Sequence, residues 1–310
     1  MTDTSARPNG APNMLVLERD LIPPSWRNAS EYNRTMFVFC PSSFMKTPIA
    51  DVVLPINRAC SKLSGHPVAA HFVGFEQGPK FAEMRSFISY QEGERRWNNK
   101  IENVQLPPGE YCVIVSPFYA GERGEQLEHD ARMAICMCRG FITSLYGTSI
   151  AERPVAELHI HQTDGKISTV SDVIENYIEP AEYACLSAGD IGILADRIDN
   201  FFPEEQRVRF ETAFRFIERT AFPADRNVRF SNAWTALEVA CGSRGKAEAQ
   251  VSELCGTDRP DLFRKLKTAR DDLLHSGKDF EMSADEERTL RAAVLAALLG
   301  RFNLESRVSL

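Results

Sequence analysis

The residue types best suited to chemistry sit close together in Ala269-Arg270-Asp271-Asp272-Leu273-Leu274-His275-Ser276-Gly277. Arg270 stays charged at any relevant pH, and its planar guanidinium can fork onto a phosphate. His275 is one of six histidines and can take or give a proton near neutral pH. An arginine, a carboxylate and a histidine in one short stretch suit a reaction at a phosphodiester, where one group moves protons and another meets negative charge. The same residues also suit an ordinary helix end, because the helix dipole favours cations there. At about 100° per residue, Arg270 and His275 point roughly 140° apart on one helix. Asp271 and His275, four apart, share a face. A site that uses all three needs the helix end in a cleft, one that a second copy of the chain could help to form.

The element that must carry these residues is an amphipathic helix. Leu262, Leu266, Ala269 and Leu273 recur at helical spacing. The helix is expected to start near Asp258 with Pro260 in its first turn, and Gly277 takes the place of a left-handed cap. Arg264, Lys265 and Lys267 lie on or near it, as a local phosphate-facing patch or simply as a solvated face; Arg264 and Lys267 are the candidate phosphate contacts. Further upstream, Phe230, Trp234, Leu237 and Cys241 form the apolar stripe of a helix spanning about 225–241. Glu238 falls one turn after Trp234, at the margin of that stripe. A carboxylate there is costly unless it is paired. The expectation is that it holds an arginine such as Arg270; the plain alternative is an exposed helix glutamate.

Two segments carry a family resemblance. The stretch from Arg270 to His275 resembles the arginine–polar–histidine signature of the HEPN superfamily. Arg229-Phe230-Ser231-Asn232-Ala233-Trp234-Thr235-Ala236-Leu237-Glu238 is similar to a helix of its Apea-like branch. The resemblance covers about residues 186–310. It implies an all-helical bundle acting as a dimer through its C-terminal helices, and a metal-independent endoribonuclease with RNA as its substrate. In that role His275 serves as general acid or base and Arg270 stabilises the transition state. Asp271 positions His275 or the arginine, with Glu238 in support. No metal and no cofactor is implied. HEPN-like bundles also serve as non-catalytic dimerisation or anion-binding modules, and that is the alternative.

The rest of the chain sets bounds. Its 310 residues, 43% apolar and 25% charged, are those of an ordinary globular protein with room for two domains. No apolar run approaches the ~18 residues of a membrane span, and the polar N-terminus lacks a signal-peptide core. The eight cysteines are scattered without a Cys-x2-Cys pair; read as reduced, they place the protein in the cytoplasm. Residues 201–310 hold 18 basic and 18 acidic side chains, whereas residues 1–200 hold 18 and 25. An acidic N-terminal part argues against a broad nucleic-acid surface there.

Residues 1–13 are expected to form a disordered tail, and 14–180 an α+β domain of unknown role. Its strand signals are 35–40, 67–75, 111–116 and 156–161, with 81–90 and 97–104 as strand or loop. A long helix is expected over 125–146 with Gly147 as its stop. His159 and His161 alternate on one strand face with Glu157, a weak start for a metal site and more simply a polar strand face. Gly74 to Lys80 has the wrong spacing for a phosphate loop. Residues 177–186 read as a linker or final strand. Then come helices at 190–199, from Pro203, at 225–241, at 246–254, the motif helix, and a last one opened by the capping box Ser283-Ala284-Asp285-Glu286. The fold expected is an α+β domain followed by an all-α HEPN-like helical bundle (186–310), with the first domain as sensor or regulator.

Overall fold

The computed structural model describes residues 21–27, 29–42, 50–91, 94–121, 124–147, 154–161, 167–170, 186–220, 226–242, 260–280, 282–300 and 302. The side chains of 80–104, 124–127, 161, 167–170, 226 and 260 are not part of that description. In chain order the elements are α1 (Pro24–Arg27), β1 (Arg34–Ser42), α2 (Val53–Ser64), β2 (Ala69–Phe75), β3 (Lys80–Gln91), β4 (Glu94–Gln105), β5 (Gly109–Phe118), α3 (Gly124–Tyr146), β6 (Ala156–His161) and β7 (Ile167–Val170). The helices α4 (Ala188–Phe201), α5 (Glu204–Arg219), α6 (Arg226–Cys241), α7 (Pro260–Ser276) and α8 (Ala284–Gly300) follow. The class is α+β and mostly helical. The tail 1–13, the linker or final strand at 177–186 apart from Leu186, and the helix expected at 246–254 lie outside the described residues.

Five strands form an antiparallel sheet in the order β2-β5-β1-β6-β7, and β3 pairs with β4 in a separate hairpin. Both faces of the sheet are covered, so β1 and β5 read as continuous apolar runs rather than as alternation. Met36, Val38, Cys40, Cys112, Ile114 and Phe118 face the main core. Phe37, Phe39, Tyr111, Val113 and Val115 face a smaller cluster closed by Leu21 and Ile22. The cysteines Cys40, Cys60, Cys112 and Cys138 are fully buried in the main core and unpaired, acting as small apolar side chains. Burial pushes the Cys40 thiol up to about 11, which keeps it un-ionised.

At the β2 edge of the sheet, α2 takes the place of a sixth strand. Asn57 donates to the Ala70 carbonyl at 3.1 Å and accepts from the Ala70 amide at 2.7 Å. Ser61 does the same for Val68, at 2.9 and 3.2 Å. The sequence pattern gave no sign of this helix. Pro55 breaks its apolar run, yet it stands in the first turn, where an amide hydrogen has no intrahelical partner to lose.

The helical half follows its stripes closely. Phe210, Ala213, Phe214 and Ile217 on α5, and Phe230, Trp234, Leu237 and Cys241 on α6, are all buried. Burying each large apolar side chain contributes about 1.5–3 kcal/mol. Ser283 and Glu286 close the expected capping box: the Ser283 hydroxyl accepts the Glu286 amide at 3.2 Å, and the Glu286 carboxylate accepts the Ser283 amide at 2.8 Å. From Thr289 to Leu299, α8 is buried on every side, as a central helix must be. One continuous core joins the sheet, α2 and α3 to α4–α8. The residues that the sequence assigns to two domains therefore share a single interior.

That interior depends on a close helix crossing. Gly140 of α3 lies against α5 so tightly that a Cβ would sit 1.8 Å from the Phe214 carbonyl oxygen. Helix propensity alone makes Gly140→Ala stabilising by about 1 kcal/mol. The crossing reverses the sign: the substitution is expected to cost about 3 kcal/mol, read as a lower denaturation midpoint in urea.

Candidate functional site

The motif helix α7 runs from Pro260 to Ser276 and ends on Gly277 at φ 62°, the left-handed cap expected there. Phe263 and Leu266 are buried beneath it, while Leu262, Ala269 and Leu273 pack against the same core half-buried. This docking turns Arg270 toward α6, where its side chain is 25% exposed. Nη2 lies 3.6 Å from Glu238 Oε1, an ion pair across the two helices. Nη1 donates to Asp271 Oδ1 at 2.8 Å. Glu238 is thus the paired residue and not a free surface glutamate. Asp271 contacts the arginine rather than His275.

His275 stands on the other side of the last turn. It is exposed and has no hydrogen bond or ion pair among the described residues. The structure brings Arg270, Asp271 and Glu238 together and leaves His275 apart from them, as the ~140° helical offset requires.

A third face of α7 borders an open groove of about 510 Å³, between the helix and the chain that follows Gly277. Arg264, Lys265, Asp272, Lys278 and the Phe280 ring line it. Its cations already have partners: Arg264 with Asp261 at 3.0 Å, Lys265 with Glu286 at 2.6 Å, and Lys278 with Asp272 at 3.0 Å. Of the two cations singled out in the sequence, Arg264 borders this groove. Lys267 does not; it is half-buried. Lys265 and Lys278 share the face with Arg264, an arrangement that needs the position of the chain after Gly277.

Behind the motif lie charges that no sequence stripe reveals. The side chain of Glu287 on α8 accepts from Arg229 of α6 and from Arg291 of its own helix. Arg291 is 1% exposed and also donates to the Thr220 hydroxyl at the end of α5, at 2.7 Å. This network fixes α6, the partner of α7, against the central helix. A second buried pair, Arg139 with Glu218, ties α3 to α5.

At the sheet, Glu157 receives two hydrogen bonds from Arg132, at 2.5 and 2.7 Å, and one from His159 Nε2 at 2.8 Å. Burial alone raises the Glu157 carboxyl, but these bonds outweigh it and hold the group below its ordinary range. His159 also packs its ring edge-on to Phe118. The carboxylate is committed to its neighbours, which gives this face a structural purpose. Among the described residues, no three His, Cys, Asp or Glu side chains are arranged to hold a metal ion. No described helix is long and apolar enough to cross a membrane.

Glu238→Gln tests the α6–α7 pairing. It keeps the shape and removes the charge facing Arg270. A half-buried ion pair of this length contributes roughly 1 kcal/mol after allowance for solvent screening. A melting temperature lowered by a few degrees is the expected result; an unchanged one marks the pair as energetically idle. No family model, curated protein or solved structure matches the chain.

Proposed function

We propose that this chain is a metal-independent endoribonuclease of the HEPN type, working as a homodimer. The observation that carries the reading is the placement of Arg270, held from a neighbouring helix by Glu238 at 3.6 Å while its side chain keeps access to solvent. A pre-positioned arginine can meet a developing phosphorane dianion without reorganising. His275, unencumbered and exposed, is free to move protons. It would take the proton of the ribose 2′-hydroxyl as the 2′-oxygen attacks phosphorus, or return a proton to the departing 5′-oxygen. The products are a 2′,3′-cyclic phosphate and a 5′-hydroxyl. Because Arg270 and His275 diverge on one helix, a complete site takes its arginine from one copy and its histidine from the other, across a two-fold axis. The sheet and its hairpin would then sense the trigger, in a role in defence or stress response.

The test is cleavage of a mixed RNA in EDTA by the wild-type chain and by His275→Ala. Cutting by the wild type, with cyclic-phosphate ends and a loss of about 10²–10⁴-fold in the variant, supports the reading. No cutting by a stably folded wild-type dimer overturns it for the protein as it stands.

A non-catalytic anion-binding module is the second reading. It is favoured by one observation: Arg270 already carries two carboxylate partners, and His275 does not approach it in the single chain. Phosphate binding without cleavage is its signature.

A further inference from the structure

The two carboxylates on Arg270 differ in kind. Glu238 reaches Nη2 from another helix and its side chain is 19% exposed. Asp271 reaches Nη1 from the adjacent position and its side chain is 45% exposed. Adjacent helical residues point about 100° apart and do not normally meet. The contact is made all the same, from Nη1 to Asp271 Oδ1 at 2.8 Å. A phosphate bound in forked fashion needs two N–H groups of the guanidinium together. Nη2 faces Glu238 and Nη1 is bonded to Asp271, so a phosphate that forks across the Nη1/Nη2 pair has to displace one of them. The half-exposed Asp271 regains its hydration on leaving, whereas the more buried Glu238 would not.

We infer that the Asp271 carboxylate is an internal occupant of the anion position on Arg270, a self-inhibitory contact that a phosphate forking onto Nη1 and Nη2 displaces. The inference rests on reading Arg270 as the phosphate-binding group. It assigns Asp271 a restraining part in place of the catalytic one expected from its spacing to His275. One guanidinium facing two carboxylates leaves a net negative charge where a phosphate would arrive. The single chain is thereby held in a low-affinity state until the ligand, or a second chain's cations, outcompete Asp271. An exposed pair of this kind is weak enough to be displaced.

The experiment measures two probes on the full chain. One is a fluorescent 2′-O-methyl RNA oligonucleotide, which cannot be cleaved by 2′-oxygen attack, followed by anisotropy. The other is inorganic pyrophosphate, followed by the rise in melting temperature. The variants are Asp271→Asn, Arg270→Ala, the double variant, and Asp272→Asn. The last removes the same charge one residue away, from a carboxylate paired with Lys278. Asp271→Asn is expected to bind about two- to fivefold more tightly than wild type, with the gain lost in the Arg270→Ala background and absent from Asp272→Asn. An equal gain in Asp272→Asn, or one that survives Arg270→Ala, reduces the effect to net charge and overturns the inference. No gain, or no binding of either probe by any variant, also overturns it. Pyrophosphate binding that follows the expected order, without RNA binding, supports the self-inhibitory contact while removing the ribonuclease reading.

Discussion

Replacing Glu218 with alanine is expected to cost about 3–5 kcal/mol of stability, since it strands a buried guanidinium. Arg139 and Glu218 are 3% and 7% exposed and meet in the interior between α3 and α5. Neither charge can recover its hydration there, so removing one leaves the other buried without its counter-ion. The effect belongs to the stranded charge and not to the attraction between the pair. The double variant Arg139→Met, Glu218→Leu is therefore expected to recover most of the loss, because well-packed apolar groups often replace a buried pair at little cost. Urea denaturation of the wild type, the single variant and the double variant measures this directly. A single variant as stable as the wild type would mean that the Arg139 head group escapes to solvent. Should Glu218→Ala prove insoluble, the double variant still decides the matter by folding or failing to fold.

Mixing Arg270→Ala with His275→Ala is expected to restore ribonuclease activity that neither variant has alone. If each site takes one residue from each copy, a dimer of the two variants holds one intact site and one that lacks both residues. Random exchange makes half of the dimers mixed, so the regained rate is about a quarter of wild type. Each variant alone is expected to lose about 10²-fold or more in rate. Activity in the mixture therefore stands well above either background. A site drawn from one chain gives no recovery, because every dimer then lacks an intact pair. The divergence of Arg270 and His275 on α7 is what makes the shared arrangement the expected one.

How much of this was legible in the sequence depended on the kind of force involved. Apolar burial repeats with the period of its element, so the stripes of α5 and α6 and the strands β1, β5 and β6 could be read directly. Local backbone chemistry was equally plain: Gly147 and Gly277 take positive φ at the ends of α3 and α7, and Ser283 with Glu286 closes its box. Long-range polar pairing was not visible. Arg139 and Glu218 stand 79 positions apart, and a charged residue next to an apolar stripe looks like any solvated one. The only clue was that Arg139 lies inside a long apolar run and Glu218 directly follows Ile217. Around the motif, helical spacing already separated Arg270 from His275. The partner of Arg270 had to come from another helix, and both the place of Glu238 at the margin of the α6 stripe and the resemblance pointed to it. The groove beside Arg264 depends on how the chain returns after Gly277, which no periodicity encodes.

The side-chain bonds from α2 to the edge of β2 bear on how copies of this molecule can join. An uncovered sheet margin is a template on which further chains can be laid down, in dimers or in fibrils. Asn57 and Ser61 occupy both the amide and the carbonyl of Ala70 and Val68, so along that stretch an incoming strand finds no vacant rung. Strand-by-strand growth is stoppered at the start of β2.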